Sequence, residues 1–307
     1  MSSPPPVDFL IFGGTGFVGT GLARAWVRQG RSVAVVKHRR DPLPGTLPDS
    51  VTLLSGSVDS AQAAQACLAK CPAKVVVNAA GQKNVRACEA DPEAAFAINA
   101  HGAEAIAMAA QEAKAAMVQI STDLVHACET GGYHPEDPPQ PRTVYGRSKR
   151  EGETRCLQAH PEALICRTGG LYGGFSPLLR WLQGALAQGE TVDCFTDVIN
   201  SPTYGPNLAE MISAAIEANL KGLVLHCCGP QAVSRHTLFE TAVAALGWQS
   251  FPGQLRPIEG GQTRDALLLQ PDASLDVSVT QQLLPDCPFD APSQGFARLR
   301  DEERTAL

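Results

Sequence analysis

A tyrosine and a lysine four residues apart, Tyr145 and Lys149, have the spacing in this sequence that most directly suggests chemistry. Side chains four residues apart lie on the same face of a helix. An ammonium group beside a phenol lowers the pKa of the phenol, which lets a tyrosine exchange a proton with a carbonyl oxygen. Because such pairs are common in proteins without a catalytic role, the elements around the pair must support this interpretation.

Two hydroxyl residues, Ser121 and Thr122, followed by Asp123, end an apolar run that predicts a strand over residues 117–121. The carboxyl ends of parallel strands line the crevice in which open α/β sheets bind their ligands. Either hydroxyl could hydrogen-bond a carbonyl that Tyr145 protonates, and the sequence does not choose between them. The simpler alternative for Asp123 is that its side chain caps a loop.

A glycine turn lies between a predicted strand at 7–12 and a predicted helix at 20–29, with Gly13, Gly16 and Gly19 three residues apart. The first glycine permits a tight turn, the second lets a pyrophosphate approach the backbone, and the third allows the helix to pack closely on the strand. The amino terminus of the helix then offers free N–H groups to phosphate. We therefore predict a dinucleotide site whose contacts come from Gly13, Thr15, Gly16, Phe17, Val18 and Gly19.

The second predicted strand, at residues 32–37, ends in basic residues rather than in the carboxylate that accepts a hydrogen bond from the ribose 2′-OH of NAD. Basic side chains instead pair with a 2′-phosphate. The sequence therefore favours NADP(H), bound through Lys37, His38, Arg39 and Arg40. The alternative is that these residues form a solvated loop.

The rest of the first half alternates β-branched runs with alanine-rich stretches, with further strands predicted at 51–54, 74–78 and 163–167. Continuous apolar strands with helices between them predict a parallel sheet covered on both faces. We expect an α/β fold, a Rossmann-type doubly wound parallel sheet with a smaller C-terminal α/β substrate domain. The predicted units are residues 1–172 and 173–307, with some segments interleaved.

Composition narrows the function classes. The chain has 307 residues and a formal net charge of −6, which argues against a general nucleic-acid binder. The first residues do not resemble a secretory signal, and no apolar run is long enough to span a membrane, so we expect a cytoplasmic protein that does not bind membranes. The ten cysteines have no zinc-like spacing, so we expect reduced, mostly buried thiols and no metal site.

Over nearly its whole length the sequence resembles the extended short-chain dehydrogenase/reductases. Besides the glycine turn and the Tyr145–Lys149 pair, the resemblance rests on Asn78-Ala79-Ala80-Gly81 and on Asn99 in Phe-Ala-Ile-Asn. It implies that Tyr145 is the general acid, that Lys149 binds the nicotinamide ribose, and that Thr122 hydrogen-bonds the carbonyl. It also implies cofactor contacts from Asn78, Ala79, Ala80 and Gly81, and from Asp59 near the adenine, although Asp59 could equally be a helix N-cap.

Within this family the chain is similar to two subgroups, the dTDP-4-dehydrorhamnose reductases and the regulatory beta subunits of methionine adenosyltransferase. Gly152-Glu153, Arg167-Thr168 and Ser201-Pro-Thr203 carry this similarity. The first subgroup implies an NADPH-dependent reductase of a nucleotide-activated 4-keto sugar, with Asp123 helping to hold the sugar. The second implies an NADP-loaded binding protein that docks on a methionine adenosyltransferase catalytic subunit. A homodimer is compatible with both, and an epimerase or dehydratase is a third, weaker alternative.

The sequence departs from the reductase pattern at several sugar-contact positions. Leu171 stands where the reductases have a tryptophan, and Leu124 and His126 replace an aromatic pair. Gln270 stands where a phosphate-binding arginine is expected. These differences favour the regulatory subunit, whereas the intact Thr122, Tyr145 and Lys149 favour the enzyme.

Overall fold

The computed structural model describes residues 5–38, 41–43, 45–260 and 270–305. Its strands are β1 (Val7–Phe12), β2 (Val33–Lys37), β3 (Thr52–Ser55), β4 (Ala73–Asn78), β5 (Ala116–Thr122), β6 (Leu164–Thr168), β7 (Leu171–Tyr172), β8 (Thr191–Phe195), β9 (Ile199–Asn200), β10 (Thr203–Tyr204), β11 (Val224–His226), β12 (Val233–Ser234) and β13 (Gln254–Ile258). The main sheet has the order β11-β6-β5-β4-β1-β2-β3, and all of its neighbouring pairs are parallel. The predicted Rossmann-type sheet is confirmed, and its strand order reverses between β1 and β4.

The helices are α1 (Phe17–Arg28), α2 (Ala61–Lys70), α3 (Val85–Ala90), α4 (Pro92–Phe96), α5 (Gly102–Glu112), α6 (Val144–Ala159), α7 (Pro177–Ala187), α8 (Gly205–Glu217), α9 (Arg235–Leu246), α10 (Ser278–Leu283) and α11 (Pro292–Thr305). A π-helical turn at Ala97–His101 leads into α5, and a 3-10 turn at Asp123–Val125 follows β5.

Both faces of the sheet are covered. On one face α1 and α8 bury Trp26, Leu208 and Ile212 against β1 and its neighbours. On the other face α2, α5 and α6 bury Ile106 and Cys156. Because both faces exclude water, the middle residues of the central strands are mostly apolar, as the sequence pattern predicted.

Strand β11 comes late in the chain but belongs to the main sheet. It pairs with β6 at the edge of that sheet. The preceding helix α8 packs on α1, where the indole Nε1 of Trp26 donates to the Ala209 carbonyl at 3.2 Å and to Ser213 Oγ at 2.9 Å. Residues 205–226 thus return to the first sheet because Leu225 and the apolar face of α8 complete its core. The division at residues 172 and 173 stays a prediction.

The remaining C-terminal segments form a smaller layer beside the sheet. In it β8 and β13 form a parallel pair, and α7 and α9 pack Leu182 and Phe239 beneath that pair. A neighbouring cluster joins Tyr172 and Tyr204 to Phe296 of α11.

The ten cysteines all lie within the described residues and all are free thiols. In the part of the chain that the structure describes, no helix is long and apolar enough to cross a membrane.

Candidate active site

The glycine turn joins β1 to α1 in the conformation that the sequence predicted. Gly13 has a φ of +74°, and a Cβ atom there would lie 2.5 Å from the backbone nitrogen of Ala80. A Cβ atom on Gly19 would lie 2.5 Å from the carbonyl oxygen of Gly13, so both positions require glycine. Gly16, the N-cap of α1, is exposed and has no side chain to cap the helix. The first N–H groups of α1 are therefore free to bind a phosphate.

A cavity of about 230 Å³ opens beside this turn, at the carboxyl ends of β4, β5 and β6. Most of the predicted site residues meet there. Its predicted lining residues are Phe17, Val18, Ala79, Ala80, Gly81, Ser121, Thr122, Tyr145 and Lys149. Lys83, Ile120, Thr168 and Gly169 also line it, and we did not predict them as site residues. Lys83 carries no motif of its own, and only its position just after β4, at the reversal of strand order, could have indicated it.

The floor of the cavity is fixed by two buried asparagines. Asn78 donates to Gln119 Oε1 at 2.8 Å and accepts from the Ala80 amide at 3.0 Å. Asn99 accepts from the Gln82 amide at 2.8 Å and donates to the Gln82 carbonyl at 3.0 Å.

Asn99 also donates to Ser148 Oγ at 2.9 Å, so it ties the loop after β4 to α6. Gly152 makes room for the same turn, because a Cβ atom there would lie 2.2 Å from the Asn99 carbonyl oxygen. The asparagine is thus a structural bridge between the cofactor loop and the helix that carries Tyr145.

The structure distinguishes the two hydroxyls at the end of β5. Thr122 lies beside Tyr145, since it acts to lower the pKa of the phenol, and it donates to Asp123 Oδ1 at 2.8 Å. Ser121 Oγ instead donates to the buried carboxylate of Glu153 at 2.6 Å. The hydroxyl beside the phenol is therefore that of Thr122.

The pKa of Tyr145 lies above its ordinary value, whereas the sequence predicted that it would lie below. Burial raises the pKa of the Tyr145 phenol above its ordinary value, its hydrogen bond with Thr122 opposes the rise, and the charge of Asp123 adds to it. The ammonium of Lys149 donates to the carbonyl oxygen of Ile120 at 2.7 Å, and burial lowers the pKa of Lys149 to about 8. Desolvation of both groups thus dominates over their mutual attraction.

Asp123 is buried at the edge of the cavity. Burial raises its pKa to about 7, and its hydrogen bonds with Thr122 and the Leu124 amide lower it in part. This carboxyl therefore changes charge near neutral pH, beside the hydroxyl that contacts Tyr145.

Of the basic residues predicted to bind the 2′-phosphate, Lys37 and His38 lie within the described residues, where Lys37 is half-buried and His38 is exposed. Lys37 forms an ion pair with Asp41, and His38 Nδ1 lies 3.3 Å from the Gly56 carbonyl oxygen. The predictions for Arg39 and Arg40 fall outside the described residues.

Asp59 is exposed, and the alternative that it caps a helix is wrong. Ser60 is the N-cap of α2, and its Oγ accepts from the Ala63 amide at 3.2 Å. Cofactor binding by Asp59 stays a prediction.

Comparison with known sequences identifies a family and several related proteins. The chain matches the family model described as the RmlD substrate binding domain over residues 7–285. It is 34% identical over 198 residues to the dTDP-4-dehydrorhamnose reductase of Mycobacterium tuberculosis. The match covers 61% of this chain and 64% of that protein, so the chain spans less than two thirds of the length of this relative. It is 30% identical over 259 residues to a probable dTDP-4,6-dihydroxy-2-methyloxan-3-one 4-ketoreductase of Streptomyces antibioticus, covering 83% of this chain and 82% of that protein.

Solved structures agree on the fold. A dTDP-4-dehydrorhamnose reductase from Bacillus anthracis in complex with NADP superimposes with a TM-score of 0.81 at 21% identity, covering 97% of this chain and 100% of that one. A hypothetical dTDP-4-dehydrorhamnose reductase from Sulfolobus tokodaii superimposes with a TM-score of 0.78 at 27% identity, covering 94% and 98%. With a family match over most of its length, the chain belongs to the RmlD substrate-binding-domain family, and its resemblance to the extended short-chain dehydrogenase/reductases is confirmed.

Proposed function

We propose that this protein is an NADPH-dependent reductase that acts on the 4-keto group of a nucleotide-activated sugar, with a dTDP-linked sugar as the expected substrate class. The observation that carries the proposal is that Thr122, Tyr145 and Lys149 meet in the cavity that the glycine turn borders. The names of the relatives, which are reductases of dTDP-linked 4-keto sugars, support the same substrate class.

The residues present fit a dinucleotide. Gly13 and Gly19 hold a turn that a side chain would disrupt, and the exposed Gly16 leaves the amides of α1 open to a pyrophosphate. At the end of β2, Lys37 and His38 replace the carboxylate that would repel a 2′-phosphate, and the nearby Asp41 is neutralised by Lys37. These features support NADP(H), which would supply the hydride to the carbonyl carbon.

The side chains of the cavity supply the proton. When the Thr122 hydroxyl turns its proton from Asp123 to a substrate carbonyl oxygen, that oxygen accepts one hydrogen bond from Thr122 and one from Tyr145, and both strengthen as negative charge develops on it. Because burial raises its pKa, Tyr145 retains its proton at neutral pH until the more basic alkoxide takes it. The positive charge of Lys149 then stabilises the resulting phenolate.

The alternative of a regulatory subunit for methionine adenosyltransferase has less support. Leu171 does line the cavity where the reductases carry a tryptophan, so the sugar contacts differ from their pattern. A phenol, a threonine hydroxyl and a lysine brought together in one cavity give no advantage to a protein that only binds. Several relatives that match the chain bear the names of reductases.

Deuterium transfer tests the proposal. The protein is incubated with dTDP-4-dehydrorhamnose and NADPH carrying deuterium at the transferable C4 position, and the sugar nucleotide is then analysed by mass spectrometry. We expect a product that has gained one deuterium and one hydrogen, and no such product with Tyr145→Phe, which should still bind NADPH. If the wild-type protein binds NADPH but reduces no nucleotide-linked 4-keto sugar in a panel, the proposal is wrong. Co-purification with a methionine adenosyltransferase would then favour the regulatory alternative.

A further inference from the structure

The end of β5 is attached to α6 by three consecutive residues, and each of them contacts a different turn of that helix. The carbonyl of Ile120 accepts from Lys149, and Thr122 lies beside Tyr145 in the same cavity. Between these two contacts, Ser121 is bound to Glu153. The three helix residues are four positions apart, so they form one stripe along the face of α6 that meets the strand.

Glu153 belongs to the Gly152-Glu153 motif, to which the proposed chemistry assigns no role. Its side chain is completely buried, and each of its oxygens accepts two hydrogen bonds. Oε1 accepts from Ser121 Oγ at 2.6 Å and from Arg167 Nε at 2.9 Å. Oε2 accepts from Arg167 Nη2 and from Arg150 Nη1, both at 2.9 Å. With its lone pairs used in this way, the carboxylate acts through its neighbours and not by touching a substrate.

A buried ion pair requires an explanation, because the desolvation of two charges offsets most of their attraction. Apolar residues of similar size would fill the space between β5, β6 and α6 at least as favourably. Arg167 is itself almost completely buried, and its Nη1 lies 3.2 Å from Nε2 of His126. Joining two strands to a helix through this network is therefore no more favourable than apolar packing, which suggests that the negative charge of Glu153 has a further effect.

That charge lies one helical turn from Lys149. Hydrogen bonds and ion pairs with Arg167, Ser121 and Arg150 lower the pKa of Glu153 although burial opposes them, so the group remains ionised. Its charge raises the pKa of Lys149 and counteracts the effect of burial on the ammonium.

We propose that Glu153 is a positioning residue of the reductase: it fixes the end of β5 on α6 and places a negative charge one helical turn from Lys149, so that Thr122 and Lys149 stay in place around Tyr145. The effect of Glu153 on catalysis rests on the proposed function. The geometry that supports it is the stripe of three contacts and the fourfold hydrogen bonding of the carboxylate.

Other charged or titratable groups face this network and must be considered with it. Cys156, one turn further along α6, also raises the pKa of Lys149. Asp123 acts on Tyr145 from the end of β5. Burial lowers the pKa of His126 to about 4, so that its ring is neutral beside Arg167 at neutral pH. Lys83 faces the cavity from the loop after β4.

The pH dependence of NADPH affinity tests the inference without requiring turnover. Affinity is measured by protein fluorescence between pH 6 and 9.5 for the wild type and for Glu153→Gln, which keeps the shape of the side chain and removes its charge. Loss of the charge should lower the pKa of Lys149, so the alkaline loss of affinity should move down by about one pH unit. At pH 9 this corresponds to about tenfold weaker binding, with little change at pH 6.

Arg150→Gln is the matched variant. The Arg150 side chain is 37% exposed, so its removal is compatible with folding, and it leaves Glu153 less neutralised. The loss of NADPH affinity at alkaline pH should therefore move to slightly higher pH, which is opposite to the effect of Glu153→Gln. If Glu153→Gln fails to fold, Arg150→Gln alone tests the inference: a shift of the affinity loss to higher pH supports it, and a shift to lower pH contradicts it.

A shift in the same direction for both variants, or no shift in either, would overturn the inference. The absence of any alkaline limb in the wild type would do the same. A failure of the proposed function appears differently, because NADPH binding and its pH dependence would persist while no 4-keto sugar is reduced.

Discussion

The two ends of the dinucleotide cleft are built differently. At the catalytic end, Asn99, Thr122 and Glu153 are buried, and each makes several hydrogen bonds. At the adenosine end, Asp41 is 77% exposed and its partner Lys37 is partly exposed, so water and salt weaken their attraction. A preorganised, buried site stabilises developing charge without rearrangement, whereas an exposed pair adjusts at little cost. We therefore expect substitutions at the first end to change the reaction rate, and those at the second to change only cofactor preference.

The largest effect on rate among the residues around Tyr145 is predicted for Thr122→Val. The substitution keeps the shape of the side chain but removes the hydroxyl from Tyr145 and the carbonyl oxygen, so kcat should fall about 100-fold. NADPH affinity, measured by fluorescence titration, should change by less than about twofold. Thr168→Val is the control, because Thr168 also lines the cavity but donates to the Ser121 carbonyl. Equal losses of kcat in both variants would mean that the catalytic end lacks the specific geometry described.

The glycine turn that joins the two ends offers a matched pair of alanine substitutions. A Cβ atom at position 19 would lie 2.5 Å from the Gly13 carbonyl oxygen, so Gly19→Ala should displace the turn and weaken NADPH binding by about tenfold. At Gly21, on the same helix, a Cβ atom meets no atom of the described residues within 4 Å. Gly21→Ala should leave binding unchanged and stabilise the protein by about 0.5–1 kcal/mol through helix propensity. Equal binding by both variants would contradict the role of the turn.

The sequence predicted the framework of this molecule better than the contacts within the site. Strands β1 to β6 were predicted to within about one residue, because buried parallel strands read as continuous apolar runs. The place of β11 could not be predicted, since three residues carry no signal of which sheet edge they join. The catalytic pair was recognisable from its spacing, but the choice of Thr122 over Ser121 depends on Glu153, which only the folded chain brings near. The pKa of Tyr145 was predicted in the wrong direction because burial cannot be judged from spacing.

The pH dependence of stability tests whether the Asp123 carboxyl at the catalytic end is shielded from water. Its pKa is raised to about 7 in the folded protein from an ordinary value of 3.8, so the folded state holds a proton that the unfolded state loses. Stability is therefore lost as pH rises from about 4 to about 7. Asp123→Asn has no charge to bury and should raise Tm relative to the wild type more at pH 8 than at pH 5. The same difference in Tm at both pH values would show that this carboxyl is well solvated.

The smallest effects are expected at the adenosine end. Lys37→Ala should weaken NADPH binding about threefold to tenfold and leave NADH binding unchanged, because an exposed charge contributes little. Asp41→Asn frees Lys37 for the 2′-phosphate and should strengthen NADPH binding slightly. Titration of both cofactors with both variants measures these changes. A loss of more than about 100-fold in NADPH affinity on Lys37→Ala would show that the two ends are equally preorganised.

The most direct test of the account is the rate of NADPH oxidation with dTDP-4-dehydrorhamnose, followed by absorbance for the wild type and for Tyr145→Phe. The account predicts turnover by the wild type, and a decrease in kcat of at least about 100-fold on Tyr145→Phe with NADPH affinity retained. Turnover by Tyr145→Phe at the wild-type rate would contradict the assignment of the proton donor.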